Sequence, residues 1–315
     1  MKKLLAICTL TALSIGVLSP LSHATGGELT RVYGDGRIET SIAISKASFP
    51  EAKTAIIASE KGYADALSGG PLSIQVKGPI LLSSTSIKDT VMRELKRLKV
   101  QDVIILGGTK AVSQGVEDTL KKSFAVKRLY GDNRYDTGEE ISKYQNTLDK
   151  TTRTRLGYAT GRNYADALVA GPFINKDGSL LLHDPALLLE NPPFVFGGEA
   201  ALPKVKNPTK RFEGLNRYET AVDIAKAYRT SGPYAPGQTV ILASGQNYPD
   251  ALAAAPLVNA YRSVLLLTNK DYLAPETKKY LESSSVKNIF ILGGANAVSD
   301  KVKEEIIKLK EIKTV

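Results

Sequence analysis

Six arginines are the residues whose type and spacing most clearly could do chemistry. They form three pairs six residues apart: Arg31 and Arg37, Arg128 and Arg134, Arg211 and Arg217. Each pair has a glycine midway and ends in an acid followed by threonine, as in Arg31-Val-Tyr-Gly-Asp-Gly-Arg37-Ile-Glu-Thr40. A guanidinium is a planar fork of donors that matches a phosphate or a carboxylate. The second arginine of each pair stands near Glu39, Asp136 or Glu219. Each therefore reads either as an ion pair or inter-repeat clamp inside the protein, or as a donor for an anionic ligand. A second block gives Tyr63-Ala-Asp65, Tyr164-Ala-Asp166 and Tyr248-Pro-Asp250, each followed by Ala-Leu. The three aspartates fit a helix N-cap, a partner for an arginine, or an acceptor for sugar hydroxyls. The three tyrosines fit half-buried packing or stacking on a sugar ring. A third block, Gly107-Gly108, Gly197-Gly198 and Gly293-Gly294, follows an apolar run each time. Such a turn can present helix N-terminal N–H groups to an anion, although Gly-Gly is also simply a tight-turn solution.

Composition removes several other chemistries. The 315 residues hold one Cys and two His. That excludes a disulfide framework, a cysteine-based metal site, a zinc-hydrolase site and a Ser-His relay with parts to spare. No dinucleotide fingerprint follows a strand and no phosphate-binding loop motif is present, so no nucleotide site, cofactor or metal is expected. His183 occurs in one repeat alone and reads as a loop residue. With Asp, Arg and Tyr as the shared groups, the chain is poor in acid–base parts and is expected not to be an enzyme. The formal charge of +10 points to an anionic partner.

The start reads as a signal peptide over 1–24. Lys2 and Lys3 precede an apolar core from Leu4 to Leu18, and Ser22-His23-Ala24 has the small-x-small form of a cleavage site. Cleavage would remove Cys8, His23 and two lysines, leaving 40 basic against 32 acidic side chains. Nothing later approaches the ~18 apolar residues of a membrane span. An exported chain makes nucleic acid an improbable partner despite the charge. The end, Lys308 to Val315, has no sorting tail, so surface attachment is expected to be non-covalent.

These blocks must be positioned by repeated elements. The arginines, the Tyr-x-Asp-Ala-Leu blocks, the Leu-Leu runs at Ile80–Leu82, Leu180–Leu182 and Leu265–Leu267, and the Gly-Gly turns recur in one order three times. They define repeats at 28–126, 127–209 and 210–315. A period near 90 residues exceeds the ~20–50 of short solenoid units, so each repeat reads as a small domain. Continuous apolar runs at Ala55–Ala58, Ile80–Leu82 and Val103–Leu106 alternate with amphipathic segments such as Lys88–Lys99. That pattern predicts an α/β fold with parallel sheets covered on both faces. The middle repeat is reduced: only 11 residues separate Leu182 from Phe194, against 20 between Leu82 and Val103. A ~12-residue helix plus its loops cannot fit there, and the segment after Gly198 is short too, so two peripheral helices are expected to be lost and the repeats to pack closely.

Together the four blocks resemble the type 2 cell-wall-binding repeat family of Gram-positive surface proteins, over residues 29–315. The resemblance implies three Rossmann-like or Toprim-like modules in a compact pseudo-threefold arrangement, attached to an anionic polymer of the wall. It ties Arg37, Arg134 and Arg217 and the Leu-Leu runs to polymer binding and module packing. The wider candidate set for polymer contact is all six arginines with Tyr63, Tyr164 and Tyr248. Asp65, Asp166, Asp250 and the three Gly-Gly pairs are expected to be structural. Repeat three departs from the pattern with Glu213-Gly-Leu215 in place of Tyr-Gly-Asp, which weakens the expectation there. Multiplicity suits a repeating polymer, because linked weak sites gain ~10²–10⁴ in avidity. The expected function is a secreted, non-catalytic wall-binding protein at the cell surface. The alternatives are a regulatory partner of a wall amidase or, less favoured, a wall-glycan hydrolase.

Overall fold

The computed structural model describes residues 27–149, 155–311 and 313–314. The signal-peptide segment lies outside the described residues. The chain opens with β1 (Glu28–Val32) and α1 (Arg37–Ser48). The first sheet is then built from β2 (Thr54–Ser59), α2 (Gly69–Gln75), β3 (Ile80–Ser83), α3 (Asp89–Arg97), β4 (Asp102–Leu106), α4 (Gln114–Lys121) and β5 (Ala125–Leu129). The middle part runs through α5 (Arg134–Leu148), β6 (Arg155–Thr160), α6 (Ala165–Ile174), β7 (Gly178–His183), β8 (Leu189–Glu190), β9 (Phe194–Phe196), β10 (Val205–Lys206) and β11 (Lys210–Phe212). The last part holds α7 (Arg217–Ala227), β12 (Thr239–Ser244), α8 (Pro249–Leu252), α9 (Ala255–Ala260), β13 (Val264–Thr268), α10 (Pro275–Ser283), β14 (Asn288–Leu292), α11 (Asp300–Lys310) and β15 (Lys313–Thr314).

In the first and last sheets the inner strands are buried on both faces, as continuous runs such as Val264-Leu-Leu-Leu-Thr268 require, and the pairings are parallel. The three large sheets share one order: β3-β2-β4-β5, β7-β6-β9-β11 and β13-β12-β14-β1, with β15 added beyond β1. The sheets do not follow the repeat borders. Each is completed by the strand that opens the next repeat. β5 pairs with β4 from Asp102↔Ala125 to Leu106↔Leu129, and β11 pairs with β9. β1 closes the circle against the last repeat, in register from Leu29↔Ile289 to Val32↔Leu292. The helix after each shared strand crosses over: α1 packs on β3, α5 on β7 and α7 on β13. The arginine motif is thus the hinge between two modules, with its first half in one sheet and its second half on the next.

At the centre, α2, α6 and α9 pack on one another. Close approach is set by the small residues before a shared proline: Gly70-Pro71, Gly171-Pro172 and Ala255-Pro256. A Cβ on Gly70 would lie 3.3 Å from both Ala255 Cβ and Gly171 Cα. This small-Pro position follows each Asp-Ala-Leu block and carries a packing signal that the block reading passed over.

The middle module has no helix in the described residues between β7 and β9 or between β9 and β11, where the other modules carry α3 and α4 or α10 and α11. The short strands β8 and β10 pair in their place. Its inner face is filled by aromatics: Phe173 lies 5.8, 5.0 and 5.1 Å from the rings of Phe196, Phe212 and Tyr228. On the stripped side, Tyr158 and Leu181 stay half-buried where Ile57, Leu81, Leu242 and Leu266 are fully buried. Among the described residues no helix is long and apolar enough to cross a membrane.

Gly70→Val should force the three central helices apart. Overpacking of this kind costs about 1–3 kcal/mol, read as a lower urea midpoint, while Gly70→Ser should cost less.

Candidate ligand-binding site at the repeat junctions

The first arginine of each motif, at the end of the shared strand, turns inward. Arg31 donates Nη1 to the carbonyls of Gly293 (3.0 Å) and Val298 (2.7 Å) and pairs with Asp300 at 3.1 Å. Arg128 donates Nη1 to the Gly107 carbonyl and Nε to Glu117, both at 2.7 Å. Arg211 donates Nη1 to the Gly197 carbonyl at 2.8 Å. Their side chains are 11, 8 and 14% exposed, so these are clamps across the shared strand pair. What each grips is the first glycine of the Gly-Gly turn. Gly107, Gly197 and Gly293 have φ of 96, 110 and 92°, a left-handed conformation natural to glycine.

The second arginine reaches the other way. Arg37 donates to the Glu60 carbonyl (3.1 Å), Arg134 to that of Gly161 (2.5 Å), and Arg217 to that of Gly245. The adjacent carboxylate is not its partner, contrary to one sequence expectation: Glu39 pairs with Lys88 at 2.9 Å instead. Each second arginine lies over a tyrosine of the preceding repeat, Arg37 over Tyr248, Arg134 over Tyr63 and Arg217 over Tyr164, at 5.8, 6.0 and 5.6 Å. The three tyrosines meet in one cluster, with ring centroids 5.4, 4.9 and 5.5 Å apart. Each hydroxyl donates onward to the next repeat: Tyr63 to the Arg162 carbonyl, Tyr164 to that of Gly245, and Tyr248 to that of Lys61. Burial raises the Tyr248 hydroxyl above its usual pKa. Exposed Lys61 and Arg162 stand on the same loops, so an aromatic centre is ringed by cations.

The aspartates are not N-caps. Tyr63, Tyr164 and Tyr248 occupy the cap positions without a side-chain cap bond, and each aspartate falls within the first turn. Asp65 accepts the Thr137 hydroxyl and Asp250 that of Thr40, each across a junction. The same threonine oxygens receive the Gly131 and Gly34 amides at 3.1 and 3.2 Å. The motif glycine is needed there because a Cβ on Gly34 would stand 2.5 Å from Glu39 Cβ. In repeat three the relay is broken, since Thr220 donates to the Asn216 carbonyl. Burial raises all three aspartates, and Asp166 is pushed up to about 6, with Arg217 opposing. The true N-caps in two motifs are Asn133 and Asn216, whose Oδ1 accepts from the Tyr135 and Tyr218 amides at 2.8 and 2.9 Å. Asparagine directly before a helical run was the signal for them.

Two exposed aromatics complete the junctions. Tyr130, 57% exposed, covers the Gly108 turn, and Tyr33, 55% exposed, covers that of Gly294. Glu213 takes this place over Gly198. At the first junction a cleft of about 430 Å³ is lined by Asp65, Gly108, Lys110, Tyr130, Asn133 and Arg134. Arg134 thus belongs to both the cleft and the tyrosine cluster. The helices that follow the first and third Gly-Gly turns begin at Gln114 and Asp300, capped by Ser113 and Ser299. His183 ends β7 rather than lying in a loop, and its Nε2 donates to the Leu187 carbonyl at 3.3 Å. Among the described residues no group of three or more His, Cys, Asp or Glu could hold a metal.

Three interlocked α/β modules with this motif at every seam define a family. The chain belongs to the family described as "Cell wall binding domain 2 (CWB2)", which matches residues 31–117, 128–205 and 211–303. It is 30% identical over 97% of its length to the N-acetylmuramoyl-L-alanine amidase LytC of Bacillus subtilis, and 26% identical over 88% to the amidase enhancer of the same organism. The chain spans 63% and 40% of those two proteins. Among solved structures, Cwp6 and Cwp8 of Clostridium difficile superpose with TM-scores of 0.77 and 0.76 at 22 and 24% identity. The match covers 95 and 91% of this chain and 50 and 52% of those chains, and it shows the shared fold.

Asp166 offers a pH test of the seam. Its proton is held to about 6 in the fold against 3.8 ordinarily. The ionised form therefore costs stability above pH 6, and that cost fades as pH falls from 6 toward 4. Asp166→Asn should raise stability at pH 7.5 by up to about 2–3 kcal/mol, with the gain shrinking toward zero by pH 4 in urea titrations.

Proposed function

We propose that the chain is an exported, non-catalytic protein that holds an anionic wall polymer non-covalently at the cell surface. Its three repeats, 28–126, 127–209 and 210–315, act as one binding unit because each gives a strand to its neighbour. The observation that carries the reading is the ring of Arg37, Arg134 and Arg217 around Tyr63, Tyr164 and Tyr248. Arg134 and Arg217 use Nη1 for their protein bonds, which leaves Nη2 and Nε of each fork for phosphate or carboxylate groups. The tyrosines form the floor beneath. Arg31, Arg128 and Arg211 hold the frame and touch the polymer little. Tyr33 and Tyr130 add stacking surfaces at two of the three junctions. The third, with Glu213 and Leu215, contributes least, since a carboxylate there repels an anion.

The test is retention on purified walls, with and without extraction of their anionic polymers. Intact walls should retain the protein and extracted walls should not. Equal retention on both would overturn the electrostatic account. Arg37→Gln/Arg134→Gln/Arg217→Gln should weaken binding about ten-fold or more at low salt. Added salt should weaken the parent protein too, because exposed charges are screened over ~8–10 Å near physiological ionic strength.

The similarity to the amidase enhancer favours a second reading, in which the chain regulates a wall amidase. Stimulation of a purified wall amidase in trans by this protein would support it, and unchanged turnover would exclude it.

A further inference from the structure

The cavity of about 460 Å³ between α1 and α3 lies outside the tyrosine cluster and is lined by Tyr33, Ile42, Lys46, Thr90, Arg93 and Arg97, among others. Its floor is apolar, from Ile42 and Ala43. The two carboxylates in its wall are already matched. Glu94 is buried, takes the Arg97 fork at 2.8 Å through both oxygens and accepts the Ser45 hydroxyl at 2.6 Å. Glu39 is paired with Lys88. Lys46 and Arg93 are exposed and make no ion pair among the described residues. The Thr90 hydroxyl oxygen is buried without a hydrogen-bond partner. Unmatched cations, an idle hydroxyl, an apolar floor and a half-exposed tyrosine edge are the parts of a saccharide site that selects for negative charge.

The other repeats do not reproduce it. The middle repeat has no helix corresponding to α3, so it has no such groove. In repeat three the positions of Tyr33, Ala43 and Thr90 carry Glu213, Asp223 and Glu276. There Glu276 is engaged by the Asn216 amide at 2.7 Å and Asp223 by the Glu213 amide at 3.2 Å. That groove is acidic, and the orphan at the position of Thr90 is the second carboxylate oxygen of Glu276, which disfavours an anion.

We infer that the groove between α1 and α3 is a separate binding site for one anionic sugar unit, with Lys46 and Arg93 on its carboxylate or phosphate and Thr90 on a ring hydroxyl. This rests on the reading that the chain holds an anionic wall polymer. Tyr33 lies both in this groove and over the Gly294 turn, so a chain of sugars could run from the junction along α1.

The test titrates the full chain, without its first 24 residues, with three defined probes: a galacturonate hexamer, a neutral galactose hexamer and a short poly(glycerol phosphate). Binding of either anionic probe, with methyl shifts at Ile42 and none from the neutral hexamer, is expected; the stronger of the two identifies carboxylate or phosphate as the group. Lys46→Glu/Arg93→Glu should weaken that probe about ten-fold with an unchanged melting temperature. The matched pair Lys226→Glu/Lys279→Glu in repeat three should change it less than about two-fold, the effect expected of net charge alone. Thr90→Val should weaken binding about five-fold while leaving stability equal or higher. Equal losses in both double variants, or none in the first, would overturn the site. If that happens while intact walls still retain the protein, the wall-binding reading stands and this site alone fails; if the walls do not retain it, that reading fails first.

Discussion

Parallel pairing between the first strand of one repeat and the last core strand of another is the constraint on which the molecule depends. A single repeat by itself would leave β4, β9 or β14 as an open edge of unpaired N–H and C=O groups. The next repeat fills that edge, and for the last repeat the filler is the first strand of the chain. The arginines then fasten what the strands join. Each first arginine crosses to the glycine carbonyl at the end of its new neighbour strand, where burial and a fixed acceptor make one guanidinium bond count for more than an exposed ion pair. Each second arginine fastens the loop on the far side. The same short motif therefore builds the seam and leaves cationic groups standing along it.

Threefold repetition of the seam does not make three equal sites. The frame is repeated closely: the same strand order, the same left-handed glycine, the same arginine-to-carbonyl bonds. The surface around it is not. Tyrosine covers two turns and glutamate the third, the threonine relay to aspartate holds at two junctions, and the middle repeat alone has no helix, among the described residues, in the place of α3 and α10. Structural demands fall on backbone geometry and are met identically, whereas charge and aromatic surface at the rim are free to differ.

Much of this was legible in the residues. The apolar runs gave the strands nearly to their ends, the amphipathic segment Lys88–Lys99 gave α3, and the short spacing after Leu182 gave the missing helix there. Family resemblance pointed to Arg37, Arg134 and Arg217, and the structure places each over a tyrosine of the preceding repeat. The sharing of strands was not legible, because a strand carries no mark of which sheet it joins and the pairing partner lies up to 260 residues away. Among the readings open for Asp65, Asp166 and Asp250, the N-cap was a local inference, while the partners of Asp65 and Asp250, Thr137 and Thr40, belong to another repeat. The small-Pro positions in the central helices were visible as a repeat but have meaning only once three helices converge.

β1 and β15 lie side by side in one sheet, with Glu28 opposite Lys313. Polypeptide joined ahead of Glu28 or beyond Thr314 would thus leave from adjacent points on one flank, whatever its length. Tension on either tether would enter the ring at the single place where its beginning and its end are stitched together.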